Sequence, residues 1–151
     1  MSLEDEIKQK QFSSIYQKLG LNILFTSSWL QTIQQRLFKP YGITTQQYNV
    51  LRILRGQHPN PASVGLIQER MLDRSSNASR LVDKLVDKKL VERNTCPKDR
   101  RQVDILISPA GLKLLSELDG VIAQHEETFR VLTEEEARTV SDLLDKFRKQ
   151  H

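Results

Sequence analysis

Apolar residues recur at helical spacing over most of this chain. Phe12, Ile15, Leu19, Ile23, Leu30, Ile33 and Leu37 follow a three/four spacing with Thr26 in the gap; Leu24 and Phe25 widen the stripe and Trp29 lies near its edge. This pattern predicts one long helix over 7–38, stopped by Pro40 and Gly42. Thr44 and Gln47 have capping-box spacing and open a helix carrying Tyr48, Leu51, Ile53 and Leu54. It should end before the rigid run His58-Pro59-Asn60-Pro61. Ser63 is placed to cap a short helix to about Met71, with Val64, Ile67 and Met71 inward. After a turn over Asp73 to Ser76, Leu81, Val82, Leu85 and Val86 share one face of the next helix. Asn77, Arg80, Lys84 and Lys88 take the other side.

Beyond Lys89 the period changes. Leu90 to Arg93 and the alternating Val103 to Ile107 read as two strands around a basic tip, Pro97 to Arg101. Ser108 then stands as an N-cap with Pro109 at the first helical position, where its missing N–H costs nothing. Leu112, Leu115, Leu118, Ile122 and Phe129 carry that helix to about Arg130. Thr133 with Glu136 opens a last helix marked by Ala137, Val140, Leu144 and Phe147. The order α-α-α-α-β-β-α-α predicts a mainly α protein with a small two-stranded wing. The DNA-type elements, over 44–108, are inserted between helical segments at 6–38 and 109–150. At 151 residues this is one domain, or two merged subdomains. The terminal helices carry more apolar face than the lobe can cover, so a second copy should cover the rest.

Charge sharpens the picture. The chain carries +4 overall, yet Arg70 to Arg101 holds ten Lys/Arg against five Asp/Glu, a local +5 that leaves the remainder near −1. A polyanion responds to such a patch more than to the overall pI. A helix beginning with short polar side chains, followed by a cationic ribbon, suits a duplex: the helix can fill a major groove while the tip reaches phosphate or the minor groove. Ser75, Ser76, Asn77 and Ser79 stand at that helix's start. Asn77 and Arg80 are of the types that make bidentate contacts with adenine and guanine. The serines read equally well as helix caps. Lys84 and Lys88 read as phosphate contacts or solvated charges.

Other chemistries find little support. His58, His125 and His151 lie in different elements and lack the paired spacings of zinc sites. There is no glycine-rich phosphate loop and no nucleophile elbow, so no enzyme, cofactor or metal is expected. A lone cysteine, Cys96, excludes an internal disulfide and fits a reducing compartment. With no signal-peptide core and no apolar run near the roughly 20 residues of a membrane span, a cytoplasmic protein is expected.

One stretch resembles a known family. Asp99-Arg100-Arg101, five residues to Leu106, Ile107-Ser108 and then Gly111 is similar to the wing signature of the MarR (multiple antibiotic resistance regulator) family. That signature has Leu-Thr where this chain has Ile107-Ser108. Arg80 to Leu85 and Leu90 to Arg93 resemble the family's recognition helix and first wing strand, though the family often has Gly where Lys89 stands. The resemblance implies a winged helix-turn-helix lobe over 44–108 with dimerisation helices at 6–38 and 109–150, in a homodimeric regulator, a repressor in the first instance, that binds a pseudo-palindromic DNA operator. It implies that Arg101 reaches the minor groove and that Asp99 orients wing and helix arginines, with Lys98 and Arg100 beside them. It also implies a small aromatic or phenolic effector held between the long helices and the lobe. Tyr16, Trp29, Tyr48 and His125 are the candidate liners, each of which also reads as ordinary packing. Two alternatives stand beside this reading: a winged-helix protein-interaction module without DNA, and a redox-responsive regulator using Cys96.

Overall fold

The computed structural model describes residues 1–149, apart from the side chains of Cys96 and Arg100. Its helices are α1 (Leu3–Glu6), α2 (Ile15–Phe38), α3 (Thr45–Gln57), α4 (Val64–Arg70), α5 (Ala78–Asp87), α6 (Pro109–Glu126) and α7 (Glu134–Arg148). Strands β1 (Val91–Cys96) and β2 (Asp99–Ile107) form an antiparallel pair between α5 and α6. Short 3-10 turns follow α2 and α6, at Lys39–Tyr41 and Glu127–Val131.

Local chemistry accounts for most boundaries. The Thr44 and Thr133 side chains accept from the N–H groups of Gln47 and Glu136, and both capping boxes close. Ser63 and Ser108 cap α4 and α6 in the same way. The first helix departs from expectation. Lys8 adopts a left-handed backbone (φ 54°), and residues 9–14 are not helical. Ser14 accepts from the Gln17 N–H at 3.1 Å while Gln17 Oε1 accepts from the Ser13 N–H at 2.7 Å, so two adjacent serines start a new helix there. Phe12 therefore falls outside the stripe to which its spacing assigned it.

The core belongs to the central lobe. Val50, Leu51 and Leu54 of α3, Ile67 of α4, Val82 and Leu85 of α5, and Ile105 and Ile107 of β2 are buried together with Met71 and Ala78. Phe38 from α2 and Leu115 and Leu118 from α6 complete it. Burial of each large side chain contributes about 1.5–3 kcal/mol. The sheet has a further member that periodicity did not disclose: Ala62 exchanges both backbone hydrogen bonds with Ile105, at 2.8 and 2.9 Å, and ties the loop after α3 to the wing root. An ion pair between Arg55 of α3 and Asp119 of α6, bidentate at 2.8 and 2.9 Å, joins the lobe to the long C-terminal helices.

The terminal helices are different. Phe38 is the one buried residue of α2, and none of α7 is buried. Tyr16 (79% exposed), Leu24 (68%), Leu143 (57%) and Phe147 (54%) leave broad apolar faces open.

Candidate nucleic-acid interface

Helices α4 and α5 form the helix-turn-helix, joined by a seven-residue turn, Met71 to Asn77, without a glycine. α5 is strongly two-sided. Ala78, Val82 and Leu85 are fully buried, while Ser79, Arg80 and Lys84 face solvent. Asn77 is the N-cap: its Oδ1 accepts from the Arg80 N–H at 3.0 Å. The serines thus lose the capping role that was open to them. Ser75 is bound into the turn instead, its hydroxyl donating to Asp73 Oδ1 at 2.6 Å and its N–H to the same oxygen at 2.9 Å. These bonds hold the Asp73 carboxyl below its ordinary range. The hydroxyl of Ser76 is buried without a partner among the described residues. Ser75, Ser76, Asn77, Arg80 and Lys84 line one shallow cleft, which Gln46 from the start of α3 also walls. The helix-start residues singled out by sequence therefore converge, Ser79 standing exposed beside them.

The wing differs from expectation in shape. Both strands are longer, and the tip is the two-residue turn Pro97-Lys98. Asp99 and Arg101 belong to β2, in a segment where the register shifts: Cys96 opposes Asp99, but Thr95 opposes Val103. Asp99 Oδ1 accepts from the Arg101 backbone N–H at 2.9 Å, and not from its guanidinium. The carboxylate therefore shapes the strand from which Arg101 projects. Lys98 and Arg101 are exposed. The side chains of Arg100 and Cys96, assigned to the interface and to the redox alternative, lie outside the described residues. An Arg93–Asp83 ion pair braces β1 against α5.

The junction of helix, wing and α6 is tight. Lys89 takes the left-handed conformation (φ 61°) in which glycine is usual, and it ends α5 through bonds from Lys89 N–H to Val86 O (2.9 Å) and Leu90 N–H to Leu85 O (3.0 Å). Ser108 donates its hydroxyl to Lys89 O at 2.8 Å and its N–H to Leu90 O at 3.0 Å. Gly111 lies against this carbonyl: a methyl there would overlap Leu90 O and stand 2.7 Å from Ile107 Cγ1.

Sequence reasoning missed several positioning groups. Lys88, expected on the solvent side, donates to Gly42 O and to Gln47 Oε1 (3.1 Å), which fastens the end of α5 to the start of α3. Asn49 Oδ1 accepts from the Leu72 N–H at 2.8 Å. Gln68 of α4 spans the helix-turn-helix turn. These are polar residues on otherwise ordinary helix faces, and no local signal marks them.

The four candidate effector residues do not gather. Tyr16 lines a large cleft of about 1470 Å³ between α2, α3, the α4–α5 turn and α7. Trp29 is half-exposed elsewhere on α2. Tyr48 stacks on Phe38 at 4.4 Å, and His125 packs edge-on to Phe129 at 5.0 Å. The cleft is walled instead by Leu19, Ile23, Thr45, Asn49, Leu72 and Leu143, among others. Among the described residues no cluster could hold a metal ion, and no helix is long and apolar enough to cross a membrane.

Comparison with known proteins agrees with this architecture. A model of the MarR family matches residues 41–102, from the 3-10 turn after α2 into β2. The helix-turn-helix regulator MhqR of Bacillus subtilis (strain 168) is 30% identical over 105 residues, 69% of this chain and 71% of that protein. The regulator YdgG of the same organism is 38% identical over 93 residues, 60% of this chain and 58% of that protein. The chain spans between 58% and 71% of the length of the curated relatives it matches. These relatives are named as transcriptional regulators, not enzymes. Among solved structures, a MarR transcription factor from Planctomyces limnophilus is 32% identical with a TM-score of 0.68, over 89% of this chain and 98% of that one. A mutant E. coli MarR complexed with operator DNA superposes with a TM-score of 0.75 at 24% identity, over 98% of this chain and 99% of that one. BpsR of Bordetella bronchiseptica, whose DNA binding is regulated by 6-hydroxynicotinic acid, does so at 0.73 and 23%, over 86% and 98%. At those identities the last two likenesses are of fold. With the winged helix, the wing signature ending on Gly111 and these matches together, the chain belongs to the MarR family.

Proposed function

We propose that the protein is a homodimeric, sequence-specific DNA-binding transcription regulator, acting in the cytoplasm as a repressor that a small aromatic or phenolic ligand releases. One observation carries the DNA reading. Arg80 and Lys84 on α5, and Lys98 and Arg101 on the wing, have no side-chain hydrogen bond or ion pair among the described residues. Arg55 of α3, Arg93 of β1 and Lys88 at the end of α5 are by contrast engaged within the chain. Cations left without partners, two of them (Arg80 and Lys84) lining a shallow cleft, suit phosphates and base edges. In this reading Asn77 and Arg80 read bases, Ser75, Ser76, Ser79 and Lys84 support them, and Lys98 and Arg101 hold the backbone and minor groove. Arg100 and Asp99 complete the wing.

Dimerisation is supported by the open apolar faces of α2 and α7. A 15-residue helix with no buried side chain is marginal by itself, and a second copy would cover it. The segments 6–38 and 109–150 would then form the dimer domain and 44–108 the DNA lobe, one per half-site. The large cleft exceeds the size of an ordinary small-molecule pocket, and the partner helices would narrow it. Ligand bound there would act by favouring one spacing of the two recognition helices.

Gel-shift titration with the DNA upstream of the protein's own gene, against a scrambled duplex, tests this. Preferential binding is expected. Arg101→Ala should weaken it by about 1–3 kcal/mol while light scattering still shows a dimer. Equal affinity for both duplexes, or a monomer mass at micromolar concentration, would overturn the proposal.

A further inference from the structure

We infer that Gln68 is a positioning residue for sequence reading: its amide fixes the direction of α5, and with it the discrimination between operator and other DNA. The inference rests on the DNA-binding reading above.

Gln68 lies on α4, one element before the recognition helix, and its carboxamide bridges the intervening turn at both ends. Nε2 donates to Ser76 O at 2.8 Å, and Oε1 accepts from the Ala78 N–H at 3.0 Å. A longer contact runs from Nε2 to Arg74 O at 3.5 Å. Ala78 is the first residue of α5, so its N–H is one of the donors that a helix start leaves without an intrahelical partner. Ala78 is fully buried, which denies that N–H a water. Asn77 satisfies a different donor, the Arg80 N–H. The two side chains thus divide the helix start between them. Asn77 caps from within the local sequence, whereas Gln68 reaches across from α4 and so sets the angle between the two helices.

The composition of the turn makes this staple necessary. Met71 to Asn77 has no glycine, and the backbone is instead held by side chains from three places: Asn49 of α3 on the Leu72 N–H, Asp73 on Ser75, and Gln68 on Ser76 and Ala78. Only Gln68 among these touches the first residue of α5. A base contact depends on hydrogen-bond distance and angle, while non-specific attraction to phosphate depends chiefly on charge. Loss of an uncharged staple should therefore spare the second and damage the first.

Gln68→Met keeps the length and removes both polar atoms. The full-length variant is titrated with the duplex that the wild-type protein recovers from a random-sequence library, and with a scrambled version of it, at one salt concentration. Affinity for the recovered duplex should fall roughly tenfold, because an α5 start no longer held in advance must be ordered on binding at about the cost of one to two hydrogen bonds, while affinity for the scrambled duplex stays unchanged. Hydrogen exchange at the Ala78 amide should accelerate. If Gln68→Met does not fold, Gln68→Glu is measured with the same pair. It retains an acceptor for Ala78 but loses the donor to Ser76, and the ratio of affinities cancels its added charge; the same loss of ratio is expected. An unchanged ratio, or an equal fall on both duplexes, would overturn the role of Gln68. Failure of the wild type to prefer any recovered sequence would instead overturn the DNA reading, and this inference with it.

Discussion

Substitution of Gly111 by alanine sets two effects against each other, and the structure decides the sign. Gly111 is the third residue of α6, where alanine is favoured over glycine by about 1 kcal/mol on helix propensity alone. The added methyl, however, would overlap Leu90 O and crowd Ile107 Cγ1 at 2.7 Å. Leu90 O belongs to the backbone and accepts the Ser108 N–H at 3.0 Å, so it cannot rotate away as a flexible side chain could. Overpacking costs about 1–3 kcal/mol, and strain on that hydrogen bond adds about 1 kcal/mol. The added term roughly cancels the helical gain, which leaves a net loss of about 1–3 kcal/mol. Urea unfolding at one fixed protein concentration measures it, with Gly56→Ala in α3 as the control. Nothing lies within 4 Å of a methyl at Gly56, so that variant should gain up to about 1 kcal/mol. Because α6 leaves the wing root at this contact, Gly111→Ala should also weaken DNA binding. A Gly111→Ala protein as stable as wild type would refute the close approach of α6 to the end of α5.

Two further outcomes separate structural from functional roles. Asn77→Ala should cost about 1 kcal/mol of stability through loss of the cap, whereas Asn77→Asp should retain the cap and lose DNA affinity through charge; comparison of melting with binding tells them apart. The Asp119 carboxyl is held below its ordinary value of 3.8, chiefly by the hydrogen bond from Arg55. A depressed carboxylate stabilises the fold above its unfolded value and loses that effect as pH falls through the folded one. Asp119→Asn should therefore be less stable than wild type at pH 7 by at most about 1 kcal/mol, since the pair is part-exposed. The two unfolding curves should converge below pH 3.8, and a gap that persists in acid would show that the ion pair is not its source.

Apart from the short α1, which was not expected, order and type of the elements were legible along the chain because they rest on short-range physics. The stripe Leu81, Val82, Leu85, the caps at Thr44, Ser63, Ser108 and Thr133, and the strand after Lys89 each depend on residues a few positions apart. The wing signature was equally local, and Gly111 within it has a reason that appears once Leu90 O is seen beside it. What tertiary structure alone decided involves partners far apart in sequence, or a choice between neighbours of nearly equal propensity. α2 starts after Ser14 rather than at residue 7, because Lys8 turns left-handed and Ser14 reaches the Gln17 N–H; Asn77 rather than Ser75 or Ser76 caps α5, because its side chain reached a free N–H and theirs did not. Lys88 finds Gly42 and Gln47 across more than 40 residues, Arg55 finds Asp119 across 64, and Ala62 pairs with Ile105. Tyr48 and His125 pack against Phe38 and Phe129 instead, and of the four candidate liners Tyr16 alone faces the large cleft. Periodicity records which face of an element is apolar. It carries no information about which distant atom will meet the polar face, since that follows from how the packed helices bring their ends together.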